Sequence, residues 1–344
     1  MTTQDPLAAS MLAMAISRPG GPDVLEARNL PLPEPGPGEV LIRVGAAGIN
    51  GPDLAQRRGQ YDPPPGASPL PGLEVAGVIA ARGPGAERHA MGARVMALTN
   101  GGGYAEYVAV PEGQVLPMPV GWSFAEAAAL PETWFTITQT LVMRAGLAAG
   151  MNVLVHGAAG GIGGAAIQIA TILSAKAIGV VSSPEKAAYA RRLGAVATID
   201  RNEDIAERVM ALTDGHGADR VVDIIGGPMA AINVAASARM GHIVQVSTLE
   251  GGTAQVPLRQ MMAKGLTLSG STLRPQTSAT KAAIAARIEE DLLPALERPG
   301  WIKPRITPFA LKEAARAHET MESRGHIGKL VLVTAFGAAA EPGP

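Results

Sequence analysis

The sequence has no cysteine, and this absence removes several kinds of chemistry at once. Disulfide bonds, thiolate nucleophiles and cysteine-ligated zinc are all excluded. The six histidines are scattered along the chain without the spacing of a metal site. We therefore expect a protein that binds no metal.

The chain also has little net charge, no long block of basic residues and no long apolar run. The formal net charge is −1, and Lys and Arg run no longer than the pairs Arg57–Arg58 and Arg191–Arg192. Nucleic acid and anionic membranes are therefore disfavoured as partners. The N-terminus lacks the regions of a signal peptide, and no 18-residue apolar run is clear of Gly, Pro and charge. These features predict a soluble, cytoplasmic protein.

What is present indicates a folded chain of two domains. The chain has 344 residues, which is longer than one ordinary domain. It is 47% hydrophobic and 17% charged, a composition typical of a globular protein. Aromatic residues make up only 3%. The core is therefore expected to consist of Ala, Val, Ile and Leu.

The pattern of the chain changes near residue 125. Short apolar runs separated by Pro and Gly predict a β-rich region before it, with one short helix beginning at an Asn50 N-cap. After it, strands alternate with helices, which predicts a doubly wound parallel sheet of the Rossmann type. The tail is too short to form a domain, so we expect residues 1–125 and 276–344 to form one domain and 126–275 the other. The final FGAAAEPGP is expected to be frayed.

The segment VLVHGAAGGIGGA, residues 153–165, is typical of a dinucleotide-binding turn. A strand runs into the turn and a helix leaves it, so that the helix N-terminus can bind a pyrophosphate. Ala158 stands where the first glycine of such a turn usually lies, but Gly157 and Gly161 flank it. The predicted phosphate contacts are Ala159, Gly160, Gly161 and Ile162. A tight turn without a ligand is the alternative.

The residues after the next strand favour NADPH over NADH. An NAD site places an acidic residue about 20 positions after the turn, on the ribose 2′-hydroxyl. No acidic residue occurs from Thr133 to Pro184. Ser182, Ser183 and Lys186 instead suit a 2′-phosphate. Alternatively, the serines only cap the next helix and Lys186 lies on its solvated face.

Hydride transfer without a metal requires a polar group that orients the acceptor. Tyr61, close to the Asn50 helix, is the candidate hydroxyl donor.

Ten segments in order resemble the zinc-independent quinone oxidoreductases of the medium-chain dehydrogenase/reductase superfamily, closest to the tumour-suppressor-inducible type. The resemblance covers about residues 11–335. The segments include LPGLEVAGVI, GGGYAEYVAVPEG, HGAAGGIGGAAIQIA, VSSPEKAAYARRLGA, GHIGKLVL and, most specifically, the stretch from Gln56 to Ser68.

The resemblance implies a chaperonin-10-like catalytic domain, an inserted Rossmann domain and a cleft between them. It implies hydride transfer from NADPH to a quinone, and homodimers or dimers of dimers joined through LTLSGST. Asn50 would face the nicotinamide, Thr136 would support its ribose or ring, and Tyr61 would line the quinone pocket. Zinc-dependent relatives carry Cys and His near Asn50 and at Leu73, so the resemblance also implies no zinc.

Further cofactor contacts follow from the resemblance alone. Arg201 stands where the family often has a tyrosine at the adenosine phosphate, although it could instead pair with Asp200 or Glu203. Thr248, Thr272 and Leu273 would lie on the nicotinamide side, although they could be ordinary turn residues. Lys329 is a further cofactor candidate, or a surface lysine that begins a strand.

Other readings of the Asn50 helix remain open. Asn50 could be only a helix cap, and Asp53 could form an i,i+4 pair with Arg57.

Three functions remain open at this level. The first is an NADPH-dependent quinone reductase without metal or flavin. The second is an NADPH-dependent enone or enoyl-thioester reductase, with Tyr61 as the proton donor. The third is an NADPH-binding protein with a regulatory or structural task. The fold alone does not choose the substrate.

Overall fold

Residues 8–341 are described by a computed structural model, and they divide into two units. Unit 1 comprises residues 8–132, 274–297 and 305–341, and unit 2 comprises residues 133–273 and 298–304. The sequence predicted boundaries at 125/126 and 275/276, whereas the structure divides the chain at 132/133 and 273/274. The tail lies with the β-rich first region, except for residues 298–304, which belong to unit 2.

The strands occur in both units. They are β1 Ser10–Ile16, β2 Leu25–Pro31, β3 Glu39–Gly48, β4 Glu74–Arg82, β5 Arg94–Leu98, β6 Tyr107–Pro111, β7 Val115–Pro117, β8 Asn152–Val155, β9 Lys176–Val181, β10 Ala197–Asp200, β11 Ala218–Asp223, β12 Ser237–Gln245, β13 Thr267–Gly270, β14 Ile306–Ala310 and β15 Lys329–Val333.

The helices follow the same numbering along the chain. They are α1 Gly51–Arg57, α2 Phe124–Ala127, α3 Pro131–Ile137, α4 Gly161–Ile172, α5 Pro184–Arg192, α6 Ile205–Leu212, α7 Met229–Ala236, α8 Leu258–Lys264, α9 Ser278–Asp291, α10 Leu293–Leu296, α11 Ala314–Glu322 and α12 Ala335–Ala340. A π-helical segment, Thr138–Arg144, continues α3.

Unit 1 is built on a mixed sheet with the order β14-β15-β3-β4-β5-β7, and β6 pairs with β3. A separate hairpin is formed by β1 and β2. The long strand β3 is almost entirely buried because α2 and α12 pack on it. Its aliphatic side chains join those of β4, β5 and β15 in one core. This core fixes the ends of β3, β4 and β15, which carry the polar cluster described below.

Unit 2 contains a parallel sheet with the order β10-β9-β8-β11-β12-β13. The strand order reverses between β8 and β11, and ligands of doubly wound sheets bind at such a reversal, beyond the carboxyl ends of the strands. The core of the sheet is Val, Ile, Leu and Ala, as the composition predicted. The predicted doubly wound sheet is confirmed.

The C-terminal segment is ordered where the sequence predicted fraying. Residues Ala335–Ala340 form α12, which Thr334 caps through its hydroxyl. The Phe336 ring lies 5.7 Å from the Phe124 ring and 4.2 Å below the Arg43 guanidinium. These ring contacts pack α12 against residues that are distant in the sequence, so the local pattern could not predict them. The last three residues of FGAAAEPGP lie outside the described part.

Candidate functional site

The glycine turn of unit 2 has the geometry of a pyrophosphate site. Gly157 follows β8 and adopts φ +64°, a conformation that favours glycine. Ala158 does not need that conformation and is fully buried, so the unusual alanine is accommodated. Gly160 is the N-cap of α4, and the first helical residues are Gly161 and Ile162. Their backbone N–H groups face the end of the helix, where an anion is favoured.

Two glycines of this turn act differently. A Cβ atom at Gly163 would lie 2.3 Å from the Gly157 carbonyl oxygen and 2.6 Å from Ala158 Cα. Gly163 therefore lets α4 pack directly on the turn. At Gly160 the nearest atom to a Cβ would be 3.5 Å away. That position is free within the protein, and glycine there leaves room for a ligand.

The residues predicted to bind a 2′-phosphate lie together at the ends of β9 and β10. The Lys186 ammonium donates to Ser182 Oγ at 3.3 Å, and the Arg201 backbone N–H donates to Val181 O at 2.8 Å. Ser183 is the N-cap of α5 and accepts from the Lys186 backbone N–H. The capping alternative thus holds for Ser183, without excluding a ligand. Lys186 is less exposed than expected, since it is partly buried.

Arg201 makes neither of the ion pairs that the sequence left open. Its side chain is exposed, and no pair with Asp200 or Glu203 occurs among the described residues. Glu203 instead pairs with Arg208 and caps the backbone N–H of Asp200. The guanidinium of Arg201 thus faces solvent at the end of β10.

The remaining unit 2 candidates are spread over three segments. Thr248 and Thr272 are exposed and follow β12 and β13, while Leu273 is buried. Because β8, β12 and β13 are parallel, Thr248 and Thr272 lie on the same edge of the sheet as the glycine turn. Thr136 is buried on α3.

A buried network behind the glycine turn was missed by sequence reasoning. His156 Nε2 lies 2.7 Å from Asn233 Oδ1, and Asn233 Nδ2 donates to Asp223 Oδ2 at 2.8 Å. Burial lowers the pKa of His156, which keeps the ring neutral. The network ties the end of β8 to α7 and β11. Asp223 at the end of the run VVD was the available signal.

In unit 1, Asn50 lies in a buried ionic cluster. Its Nδ2 donates to Glu74 Oε1 at 2.8 Å, and its Oδ1 accepts from the Lys329 ammonium at 2.6 Å. Lys329 also donates to Glu74 Oε1 and, at 3.1 Å, to Ile49 O. Gly48 makes room for this cluster, because a Cβ there would lie 2.1 Å from Glu74 Oε1.

Three expectations for this region need correction. Asn50 occupies the N-cap of α1 as predicted, but it is more than a cap, because its side chain also bonds Glu74 and Lys329. Asp53 caps the helix by accepting from the Asn50 backbone N–H, and Arg57 pairs with Glu322 rather than Asp53. Lys329 is 5% exposed, so it is no surface lysine. Its three ammonium hydrogens already serve protein oxygens, which argues against a direct cofactor contact.

Tyr61 is half-buried beside the buried Arg274, and Arg274 contacts a second buried cation of unit 1, Lys281. The Arg274 guanidinium lies 5.5 Å from the Tyr61 ring centre and donates to Gln56 Oε1 and Asn100 O. The Lys281 ammonium donates to Asn100 Oδ1 and Arg274 O. Burial raises the pKa of Tyr61, so its hydroxyl keeps its proton at neutral pH. Burial also lowers the pKa of Lys281 to about 8.

Glu132 is an unusual carboxyl in unit 1 that the sequence did not reveal. Its backbone N–H donates to Glu74 Oε2 at 2.8 Å, and the residue is 9% exposed. Burial, followed by the nearby carboxylates of Glu74 and Asp53, raises the pKa of Glu132 to about 8. Glu132 is therefore mostly neutral at pH 7.

This pKa predicts a pH-dependent stability. The folded protein binds a proton at Glu132 more tightly than the unfolded chain, so the stabilisation is complete below the ordinary pKa and is lost as pH rises through about 8. We expect the melting temperature to fall between pH 6 and 8 in the wild type, and to fall less in Glu132→Gln, a neutral isostere. Thermal unfolding followed by circular dichroism measures this.

The matched control is Glu207→Gln, which changes an exposed carboxyl on α6. It should leave the wild-type slope unchanged. Equal slopes in wild type and Glu132→Gln would show that Glu132 is already ionised at pH 6.

Residues 8–341 contain neither a cluster of metal ligands nor a helix suited to spanning a membrane. No group of three or more His, Asp or Glu side chains there is arranged to hold a metal ion. No helix in that range is both long enough and apolar enough to cross a membrane.

Comparison with known proteins places both units in one superfamily. Residues 36–120 match the family model of the alcohol dehydrogenase GroES-like domain, and residues 161–289 that of the zinc-binding dehydrogenase. The chain is 37% identical to a quinone oxidoreductase of Pseudomonas aeruginosa, over 91% of this chain and 97% of that protein.

Solved structures agree with these matches. A quinone oxidoreductase of Pseudomonas syringae superimposes with a TM-score of 0.81 at 34% identity, covering 94% of this chain and 99% of that one. A mycobacterial protein complexed with NADPH superimposes with a TM-score of 0.82 at 31% identity, covering 94% and 100%. The chain therefore belongs to the quinone oxidoreductases of the medium-chain dehydrogenase/reductase superfamily, and is an NAD(P)H-dependent oxidoreductase with a GroES-like domain and a Rossmann-type domain.

Proposed function

We propose that this protein is an NADPH-dependent quinone reductase that uses neither metal nor flavin. The observation that carries the cofactor choice is the group formed by Ser182, Lys186 and Arg201 at the ends of β9 and β10. An NADH site needs a carboxylate at the end of the second strand, and the sequence has none from Thr133 to Pro184. The relatives named quinone oxidoreductase support the acceptor.

Several residues of unit 2 have the chemistry that NADPH binding requires. The N–H groups at the start of α4 would hold the pyrophosphate, and the space at Gly160 allows its close approach. Lys186 and Arg201 would pair with the 2′-phosphate, and Ser182 would donate its hydroxyl to it. When bound, NADPH supplies a hydride from C4 of its nicotinamide.

The acceptor-binding role is proposed for the Tyr61 region of unit 1. Arg274 and Lys281 are buried cations whose hydrogen bonds go to neutral oxygens. Their positive charge would stabilise the negative charge that develops on a quinone oxygen during reduction. The protonated Tyr61 hydroxyl can donate a hydrogen bond to that oxygen. No cysteine is available for zinc, and no cluster of possible ligands occurs among residues 8–341.

The test is NADPH oxidation by the purified protein with four acceptors: an ortho-quinone, a para-quinone, an α,β-unsaturated ketone and an enoyl-CoA. Quinone-dependent oxidation is expected. Activity confined to the last two would replace the proposal with double-bond reduction, which the protonated Tyr61 favours as a second candidate. Tyr61→Phe would then lose reduction of the enone and the enoyl-CoA, because the proton donor is removed. Tight NADPH binding without any turnover would instead favour a regulatory role.

The cofactor preference gives a separate prediction. We expect Lys186→Ala and Arg201→Ala each to weaken NADPH binding about tenfold, because each removes one charged hydrogen bond to the 2′-phosphate. NADH binding should change by less than about twofold, because NADH lacks the 2′-phosphate that these side chains would bind. Fluorescence titration of both cofactors measures this. Arg191→Ala, an exposed arginine in the last turn of α5, is the control and should bind both as the wild type does.

A homodimer or a pair of dimers is also proposed. The edge strand β13 carries the exposed Leu268, and Met240, Leu258 and Met262 are exposed on the neighbouring elements β12 and α8. An apolar sheet edge of this kind is suited to pairing with a second copy. Sedimentation of the wild type distinguishes a monomer from either assembly. The cytoplasmic location stays a prediction.

A further inference from the structure

A chain of buried polar side chains leads away from Asn50 through unit 1. Asp53 Oδ2 accepts from the Tyr104 hydroxyl at 3.3 Å, and Tyr104 lies 3.0 Å from His318 Nε2. His318 Nδ1 lies 3.3 Å from Arg57 Nη1. Asp53, Tyr104 and His318 are fully buried, and Arg57 is 1% exposed. At its outer end Arg57 pairs with Glu322 on α11.

The hydrogens of this chain all point the same way. A guanidinium has only donors, so His318 Nδ1 must accept from Arg57. His318 then carries its hydrogen on Nε2 and donates it to the Tyr104 oxygen. The hydroxyl hydrogen of Tyr104 is left for Asp53. Burial, followed by the charge of Arg57, lowers the pKa of His318 to about 3, so the ring stays neutral.

Asp53 joins this chain to the backbone that carries the ionic cluster. Its Oδ2 also accepts from the Asn50 N–H at 2.8 Å, and its Oδ1 accepts from the Gly72 N–H at 2.9 Å. Asn50 contacts Glu74 directly, and Gly72 lies two residues before it. Asp53 therefore fixes both chain segments that meet at the cluster. A protonated Asp53 would lose acceptor capacity for these three donors.

Several charged or titratable groups surround Asp53. Burial raises the pKa of Asp53 to about 6, while the Gly72 and Asn50 N–H groups oppose the rise. The groups that face it from neighbouring elements are Tyr104, Arg57 on α1, Glu74 on β4, Glu132 on α3, Arg274 before α9, His318 on α11 and Lys329 on β15.

We propose that Tyr104 and His318 are positioning residues for the reaction, which act through Asp53 by keeping its carboxylate ionised and bonded to the backbone at Asn50 and Gly72. This rests on the proposed function, together with the position of Asn50 facing the nicotinamide that the family resemblance implies. Arg57 anchors the outer end of the chain. Neither Tyr104 nor His318 contacts a reactant in this assignment; their effect reaches the site only through Asp53.

The test compares the wild type with Tyr104→Phe by two measurements. The first is the titration of the Asp53 carboxyl carbon by NMR in ¹³C-aspartate-labelled protein, assigned with Asp53→Asn. The second is the pH profile of kcat/KM with NADPH and the best acceptor. In the wild type, activity should fall as pH drops through about 6, the pKa of Asp53. In Tyr104→Phe both midpoints should rise together by roughly one pH unit, because the carboxylate loses a donor.

Two further variants separate positioning from a merely structural role. His318→Gln keeps a hydrogen-bond donor for Tyr104 and should retain the wild-type midpoints of the Asp53 titration and of kcat/KM. His318→Leu removes that donor and should raise both midpoints, as Tyr104→Phe does. If Tyr104→Phe does not fold, the two His318 variants decide the question. The melting temperature verifies that the variants are folded, and NADPH binding verifies that unit 2 is unaffected.

The outcomes are distinct. Parallel shifts of carboxyl titration and kcat/KM support the proposal. A carboxyl midpoint that does not move, or one that moves without the kinetic profile, overturns it. If the wild type reduces no quinone but reduces another acceptor, the proposed function fails. The pH profile of kcat/KM with that acceptor then still tests the positioning role of Tyr104 and His318. If no acceptor is reduced, both fail, and the titration shows only that Tyr104 controls Asp53.

Discussion

Replacing Lys329 by methionine is expected to cost about 3–5 kcal/mol of the free energy of unfolding, because it leaves a buried carboxylate without its cation. Glu74 is fully buried, and its remaining hydrogen bonds come from Asn50 Nδ2 and the Glu132 N–H. Neither donor carries a charge. For a unit of this size the melting temperature should fall by roughly 10 °C, which differential scanning calorimetry measures.

Two controls test the electrostatic reason. The double variant Lys329→Met with Glu74→Gln should recover much of the loss, because both charges are then removed. Arg28→Met breaks an exposed pair with Glu26 and should cost less than about 1 kcal/mol. If Lys329→Met were as stable as the wild type, the buried pair of Lys329 and Glu74 would make no net contribution to stability.

Gly163→Ala is expected to damage both the stability of unit 2 and its cofactor site. The new Cβ would lie 2.3 Å from the Gly157 oxygen, and a backbone atom cannot move aside as a flexible side chain can. Relieving the overlap requires α4 to move away from the turn. We expect a loss of about 3 kcal/mol or more, since strained core positions give the large mutational effects. NADPH binding should fall at least about 100-fold, because the N–H groups at the helix end move with α4.

Gly160→Ala is the matched comparison within the same turn. Gly160 has φ −90°, which alanine adopts readily, and a Cβ there meets nothing closer than 3.5 Å. The melting temperature should therefore change by less than about 2 °C, as for a substitution without strain. NADPH binding should still weaken about tenfold or more, since the methyl group occupies space needed by the pyrophosphate. Unchanged NADPH binding in Gly160→Ala would place the pyrophosphate elsewhere.

The two pairs of variants address different units. Lys329 and Glu74 belong to unit 1, whereas Gly160 and Gly163 belong to unit 2. The affinity of the protein for NADPH is expected to fall strongly in the glycine variants. Lys329 donates only to protein oxygens, so its removal should alter NADPH binding only through loss of folding.

Local patterns determined the features that depend on neighbours in sequence. The glycine turn after β8 was predicted because a βα turn needs glycine at fixed positions within a few residues. The strand and helix alternation of unit 2 predicted its parallel sheet for the same reason. Pro131 begins α3, and the π-helical segment follows that helix directly.

Pairing between distant residues was decided by the tertiary structure alone. Lys329 lies 279 positions from Asn50, and His318 lies 214 positions from Tyr104, so no local spacing could connect them. Glu132 was overlooked because its raised pKa comes from burial and from carboxylates on other elements. By itself the sequence determined the turn that suits a dinucleotide and the absence of cysteine. Only the fold, by excluding water around side chains far apart in the chain, decided which polar groups are paired, neutral or charged.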